Sequence, residues 1–140
     1  MPEMPAGATR NAQGRLNGPP EVEVAGVSKT FGHGSKAVEA LASVDLRLRP
    51  GTTTALVGPS GCGKSTLLRL IAGLDTPTTG AVSIAGASPA EVSKLGELSV
   101  AFQDASLLPW RTAASNVALA RKLARQPRDD EAVMELLALV

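Results

Sequence analysis

Residues 52–66 read TTTALVGPSGCGKST, and the junction inside that stretch decides how the chain is built. Thr52–Val57 is β-branched and apolar on both faces, the pattern of a strand buried within a sheet. It runs directly into Gly58-Pro59-Ser60-Gly61-Cys62-Gly63-Lys64-Ser65, which matches G-x-x-x-x-G-K-[ST]. Glycines at this spacing let the backbone curl closely and aim successive N–H groups at one small anion. A helix follows from Lys64 to about Ala72, with Leu67, Leu68, Leu70 and Ile71 on its buried side, and its dipole points a positive end at the same spot. Strand, glycine loop and helix in this order predict a phosphate site in an α/β protein. A chance glycine-rich turn is the bland alternative, and the flanking elements argue against it.

Upstream, Val22, Val24 and Val27 predict a strand, Gly32–Lys36 a turn, and Val44–Leu48 a half-exposed strand ended by Pro50-Gly51. Downstream, Gly73 stands where a helix C-cap glycine belongs, Thr76–Gly80 reads as a turn and Ala81–Ala85 as a short strand. Pro89–Leu95 fits a short helix or a loop, Leu98–Gln103 a strand, Leu107–Thr112 a loop and Ala113–Ala124 a helix. A last helix begins near Asp129 and is expected to be still running at Val140. Its Leu136, Leu137, Leu139 and Val140 call for a partner surface, so the fold is expected to be truncated at its C-terminal side. Residues 1–20, rich in Pro, Gly, Asn and Ala without periodicity, read as a disordered tail.

The 140 residues suit one domain, and 44% apolar with 19% charged residues is ordinary for a soluble α/β protein. A net charge of +1 provides no field toward nucleic acid or an anionic membrane. Cys62, the single cysteine, excludes an internal disulfide and fits a reducing cytosol; inside the loop it reads as a passive position. No apolar run approaches the roughly 18 residues that span a bilayer, and the N-terminus shows no signal-peptide core, so a membrane link would come through a partner. His33, the only histidine, sits in a turn and supports neither metal binding nor catalysis. Arg121, Lys122, Arg125 and Arg128 read as a solvated helix face, and Glu131 and Glu135 as polar positions on the last helix.

Three motifs in order carry a family resemblance. Val27–Gly32 (VSKTFG) resembles the A-loop of ABC ATPases, Gly58–Gly86 resembles their Walker A segment almost residue for residue, and Val100–Asp104 (VAFQD) resembles their Q-loop. Ala105–Ala118 (ASLLPWRTAASNVA) is similar to importers of nitrate, aliphatic sulfonates and taurine. The resemblance covers about Glu21 to Val140. It implies an α/β P-loop NTPase fold, an ABC ATPase nucleotide-binding domain with an antiparallel β subdomain, occupying 21–140 behind the tail.

It also implies ATP and Mg²⁺ as cofactors. Phe31 would stack on adenine, offering a π-face without reading its hydrogen-bond edge. Gly58, Pro59, Ser60, Gly61, Cys62 and Gly63 would wrap the phosphates. Lys64 would neutralise the β- and γ-phosphate oxygens, Ser65 would coordinate Mg²⁺, and Thr66 would bond the α-phosphate. Gln103 would touch Mg²⁺ or the attacking water; its amide both donates and accepts. Lys64 and Gln103 are thus the catalytic candidates.

The implied partners are a membrane permease docking near Leu107–Trp110, a second ATPase subunit arranged head to tail, and, indirectly, a periplasmic or lipoprotein substrate-binding protein, at the cytoplasmic face of the membrane. No nucleic-acid partner is implied. Leu107, Leu108, Pro109 and Trp110 form an apolar run in a loop, which marks either a docking surface or a locally buried loop.

No LSGGQ-like signature, no apolar run ending in Asp-Glu after Gln103, and no later switch histidine occur in these residues. These 140 residues are therefore expected to bind nucleotide weakly and hydrolyse little of it. A short nucleotide-binding or regulatory module is one other reading, and a P-loop kinase or other NTPase is another. The strand pair before the P-loop and the lack of an Asn-Lys-x-Asp guanine motif weigh against the last.

Overall fold

A computed structural model of the chain describes residue 11, residues 16–103 and residues 107–139. Most of the expected tail, Asp104 of the Q-loop-like stretch, Ala105 and Ser106 beside it, and Val140 lie outside the described residues.

The described part is organised around an antiparallel sheet. Strand β1 (Val22–Phe31) lies between β2 (Val38–Leu48) and β3 (Thr79–Ile84), so the order is β2-β1-β3. Val24 faces Leu46 on one side and Val82 on the other. The inward residues Val24 and Val27 are three apart, not two, because β1 bulges between them. The Gly26 N–H freed there donates to Asp45 Oδ1 at 2.8 Å, so the bulge leaves no donor wanting at that residue. β2 starts six residues earlier than the alternation at Val44–Leu48 predicts. A 3₁₀ turn at Gly34–Lys36 reverses the chain and pairs Val38 with Phe31, recruiting a stretch without clean alternation.

Helix α1 (Lys64–Ile71) lays Leu67 and Leu70 on one face of this sheet, against Val24, Val27, Leu41 and Val82. Spacing of three residues places both leucines on one side of the helix. The helix ends as Gly73 suggested. Gly73 takes φ +67°, its N–H donates to Leu70 O at 3.1 Å, and Leu74 N–H reaches back to Arg69 O at 2.9 Å. That pair of bonds is a Schellman turn.

Pro89–Leu95 resolves as helix α2 (Pro89–Lys94), because Ser88 and Glu91 form a capping box with Pro89 in the first turn. Helices α3 (Ala113–Leu123) and α4 (Asp130–Leu137) pack on each other, capped by Thr112 and Asp129. α4 closes at Leu137 with Ala138 as its C-cap, so it does not run on to Val140 as expected.

Two expected strands do not form. Thr52–Val57 and Leu98–Gln103 have no strand pairing among the described residues, and Val57 is 93% exposed. Their composition fits a strand covered on both faces, but a strand exists only through its neighbours. Among the described residues nothing lies beside either stretch to complete a ladder.

Leu70, 1% exposed, should lose about 2–5 kcal/mol of stability on Leu70→Ala. Leu68→Ala on the same helix, at a position 56% exposed, should stay within about 0.5 kcal/mol. Urea unfolding followed by circular dichroism would check this, and comparable losses at both sites would remove α1 from the core.

Candidate phosphate-binding site

The start of α1 is built for close approach. Gly63 is its N-cap, in the left-handed region at φ 93°, and offers no side chain to cap the helix. The first backbone N–H groups of a helix have no partner within it, so here they stay available at its positive end. A Cβ at Gly63 would lie 2.9 Å from both Ala40 O and Leu41 Cδ1. Only glycine satisfies the backbone angle and the contact together.

Between the loop and β2 lies a cleft of about 320 Å³, lined by Val38, Glu39, Ala40, Gly61, Gly63, Lys64, Ser65 and Thr66. The Lys64 ammonium donates to Gly58 O at 2.8 Å and Pro59 O at 2.6 Å, and lies 3.5 Å from Cys62 Sγ. Gly58 and Pro59 therefore brace the lysine and do not line the cleft; Ser60 and Cys62 are exposed and do not line it either. One cation, free helix N–H groups and two hydroxyls at one opening form a donor set suited to a phosphate chain. Glu39 adds a carboxylate to the rim, which favours an anion arriving with its own cation. Among the described residues no cluster of three or more His, Cys, Asp or Glu could hold a metal. A divalent ion here would depend on phosphate oxygens and Ser65.

Phe31 ends β1 directly opposite Val38, one wall of the cleft, and is 45% exposed. The Lys29 ammonium sits 4.9 Å from its ring centroid. The same ammonium donates to Asp75 Oδ1 at 2.6 Å and to Thr76 O at 2.7 Å. Gln103, by contrast, is exposed and is not among the residues lining the cleft. Leu107 and Trp110 are 61% and 76% exposed. Asn116 of α3 braces their turn, accepting from Leu108 N–H at 2.8 Å and donating to Leu108 O at 3.2 Å. A larger cavity of about 740 Å³ lies between α3 and α4, and no residue of the phosphate loop lines it.

Glu39 and Asp75 escape a reading of the sequence, because neither lies in a recognisable pattern. Asp75 carries one weak signal, its place two residues past the helix-ending glycine, where the chain returns toward β1.

Residues 41–140 match the family model described as ABC transporter. The chain belongs to the ABC transporter family. An aliphatic sulfonates import ATP-binding protein, SsuB, of Pseudomonas putida is 48% identical over 108 residues, covering 77% of this chain and 38% of the relative. A spermidine/putrescine import ATP-binding protein, PotA, of Thermobifida fusca is 38% identical over 124 residues, covering 86% of this chain and 32% of the relative. The chain thus spans about a third of the length of these curated relatives. A dimeric, post-hydrolysis structure of the ATP-binding cassette MJ0796 bound to ADP and Pi superposes with a TM-score of 0.68 at 29% identity, covering 84% of this chain and 56% of that one. The fold is accordingly that of an ABC ATPase, an α/β P-loop domain whose antiparallel β portion is the β2-β1-β3 sheet.

Within this ABC domain Lys29 holds the Asp75 carboxyl below the usual carboxylate range, chiefly through the hydrogen bond it donates, with the Thr76 N–H adding to the effect. A depressed folded pKa gives stability that is present above the unfolded value of about 3.9 and lost as pH falls through the lower folded value. Wild type and Asp75→Asn should therefore differ in urea midpoint at pH 7, and the gap should narrow as pH falls below the usual carboxylate range. A gap that does not change with pH would place the stabilisation elsewhere.

Proposed function

We propose that this chain is the ATP-binding part of an ABC importer subunit, holding the phosphates of Mg-ATP at Gly58–Thr66. The observation that carries the reading is the uncapped, glycine-led start of α1, opening with Lys64, Ser65 and Thr66 onto a cleft walled by β2. Lys64 neutralises the β- and γ-phosphate oxygens, Thr66 bonds the α-phosphate, and Gly61 and Gly63 bring the backbone beside them; contact from Gly58, Pro59, Ser60 and Cys62 requires Lys64 to leave the Gly58 and Pro59 carbonyls and the loop to close. Ser65 would hold Mg²⁺, and the bound ion would supply charge neutralisation on the phosphate oxygens. Phe31 provides the base platform. Gln103 lies outside the cleft, so its contact with Mg²⁺ or the attacking water requires the segment around it to move inward.

In the whole protein, ATP binding and hydrolysis then drive transport of a small anion such as nitrate, a sulfonate or taurine. Support comes from the identity to sulfonate import proteins and from Ala105–Ala118; relatives named for spermidine/putrescine and for Fe(3+) ions match less closely. The exposed Leu107–Trp110 turn is the surface offered to a permease, and a second cassette meets the P-loop head to tail, with a substrate-binding protein acting from the far side. The setting is the cytoplasmic face of the membrane, held through the permease; no described helix is long and apolar enough to cross a bilayer. Residues 21–140 form the partial nucleotide-binding domain behind a tail at 1–20. Because residues 1–140 contain no signature motif and no Walker B stretch, nucleotide binding is the activity assigned to these residues themselves, and hydrolysis to the whole protein.

Mg-ATP should raise the melting temperature of the chain, and Lys64→Ala should abolish that rise while leaving the unliganded melting temperature within about 2 °C. Equal protection of wild type and variant would sink the assignment.

A further inference from the structure

We infer that Lys29 is a positioning residue for nucleotide binding: it orients Phe31 as the base platform and ties that platform to the helix carrying the phosphate loop. The inference rests on the reading of Phe31 given above.

An ammonium has three N–H donors. Two of those on Lys29 are taken, by Asp75 Oδ1 at 2.6 Å and Thr76 O at 2.7 Å, while the Phe31 ring centroid lies 4.9 Å away. The side chain is only 12% exposed, so water competes little for the charge. A cation so desolvated is drawn to the negative face of an aromatic ring more strongly than one in open solvent. The consequence falls on Phe31. With no hydroxyl to anchor it at the end of a strand, its ring needs another restraint, and the ammonium restrains it from one face. The rest of the ring stays open, at 45% exposure of the residue. A cation on one face also draws π-density from the other, which suits stacking with an electron-rich purine.

The second half of the inference follows from where the anchors lie. Asp75 and Thr76 come straight after the Schellman turn that ends α1 at Gly73-Leu74. The Asp75 carboxylate also accepts the Thr76 N–H at 2.7 Å, which fixes its direction. Thr30 N–H donates to Thr78 Oγ1 at 2.9 Å, a second tie between β1 and the same segment. The far end of α1 is therefore bound to the strand carrying Phe31, while its near end presents Lys64, Ser65 and Thr66. Base platform and phosphate loop move as one body, and Lys29 is the charged part of the joint.

The test compares two ligands that differ only in whether a nucleoside is present: Mg-ATP and Mg-tripolyphosphate. Their Kd values are measured by calorimetry on the full chain and its Phe31→Ala, Lys29→Met and Lys29→Arg variants, with melting temperatures recorded alongside. Lys29→Met should weaken Mg-ATP about five-fold and leave tripolyphosphate unchanged, and Lys29→Arg, which keeps a cation over the ring, should recover most of the loss. The double variant Lys29→Met with Phe31→Ala should bind Mg-ATP no worse than Phe31→Ala alone. If Phe31→Ala lowers the preference for ATP over tripolyphosphate but Lys29→Met does not, the role of Lys29 is overturned and the base platform stands. If Phe31→Ala leaves that preference untouched, the platform reading falls and this inference with it. Equal weakening of both ligands by Lys29→Met, with a lowered melting temperature, would make Lys29 merely structural and overturn the inference. A wild type that binds neither ligand would remove the nucleotide reading altogether.

Discussion

Where the backbone passes Gly63 it comes so close to the Ala40 carbonyl and the Leu41 side chain that no side chain can stand between them. Most of the arrangement follows from that approach. A residue without Cβ in the left-handed region sets where α1 begins and how it leaves the loop. Leu67 and Leu70, one and two turns on, then fall onto the inward face of the sheet beside Val24, Val27, Leu41 and Val82. The same placement turns the uncapped N–H groups of α1 toward Val38–Ala40, so one contact makes both the core and the cleft.

Helix α1 is eight residues long, or about 12 Å, too short to persist in isolation. Its stability is therefore tertiary, and it is held at both ends: by the close approach at Gly63, and by the Schellman turn that delivers Asp75 to Lys29. Lys29 and Asp75 are partly shielded, at 12% and 28% side-chain exposure, and the ammonium is further engaged by Thr76 O. Shielding and a second acceptor separate this pair from open surface pairs such as Arg128–Asp130, at 87% and 66% exposure, where solvent screens most of the attraction.

How legible this was in the sequence depended on whether the deciding physics was local. The glycine loop, the C-cap at Gly73, the capping box at Ser88 and Glu91, and the Asp129 cap at α4 are set by neighbours within a few residues, and each could be read from, or fits, the local pattern. Motif order along the chain identified the family correctly, since such order survives without coordinates. Pairing was another matter. Thr52–Val57 and Leu98–Gln103 have strand-like composition and no ladder among the described residues, because burial on two faces belongs to the neighbours and not to the segment. In the candidate site, Lys64, Ser65 and Thr66 meet at one cleft as their spacing suggests, while Gln103 stays apart. Glu39 reaches the cleft only through the folding of β2, and Asp75 reaches Lys29 only through the turn after α1, contacts that no linear spacing announces.

The open stretch Thr52–Val57 has a consequence of a different kind. It is six residues long, uncharged and rich in β-branched side chains; Leu56 packs on the core while the other five residues are exposed, with no ladder partner among the described residues. Such a hexapeptide is a template on which the same segment of another copy can stack edge to edge into a cross-β assembly. Pro50 on one side and Pro59 on the other cannot donate to such a ladder, so they act as breaks at its two ends. The phosphate loop thus begins, at Gly58-Pro59, with the residues that limit how far the segment before it could propagate into a fibre.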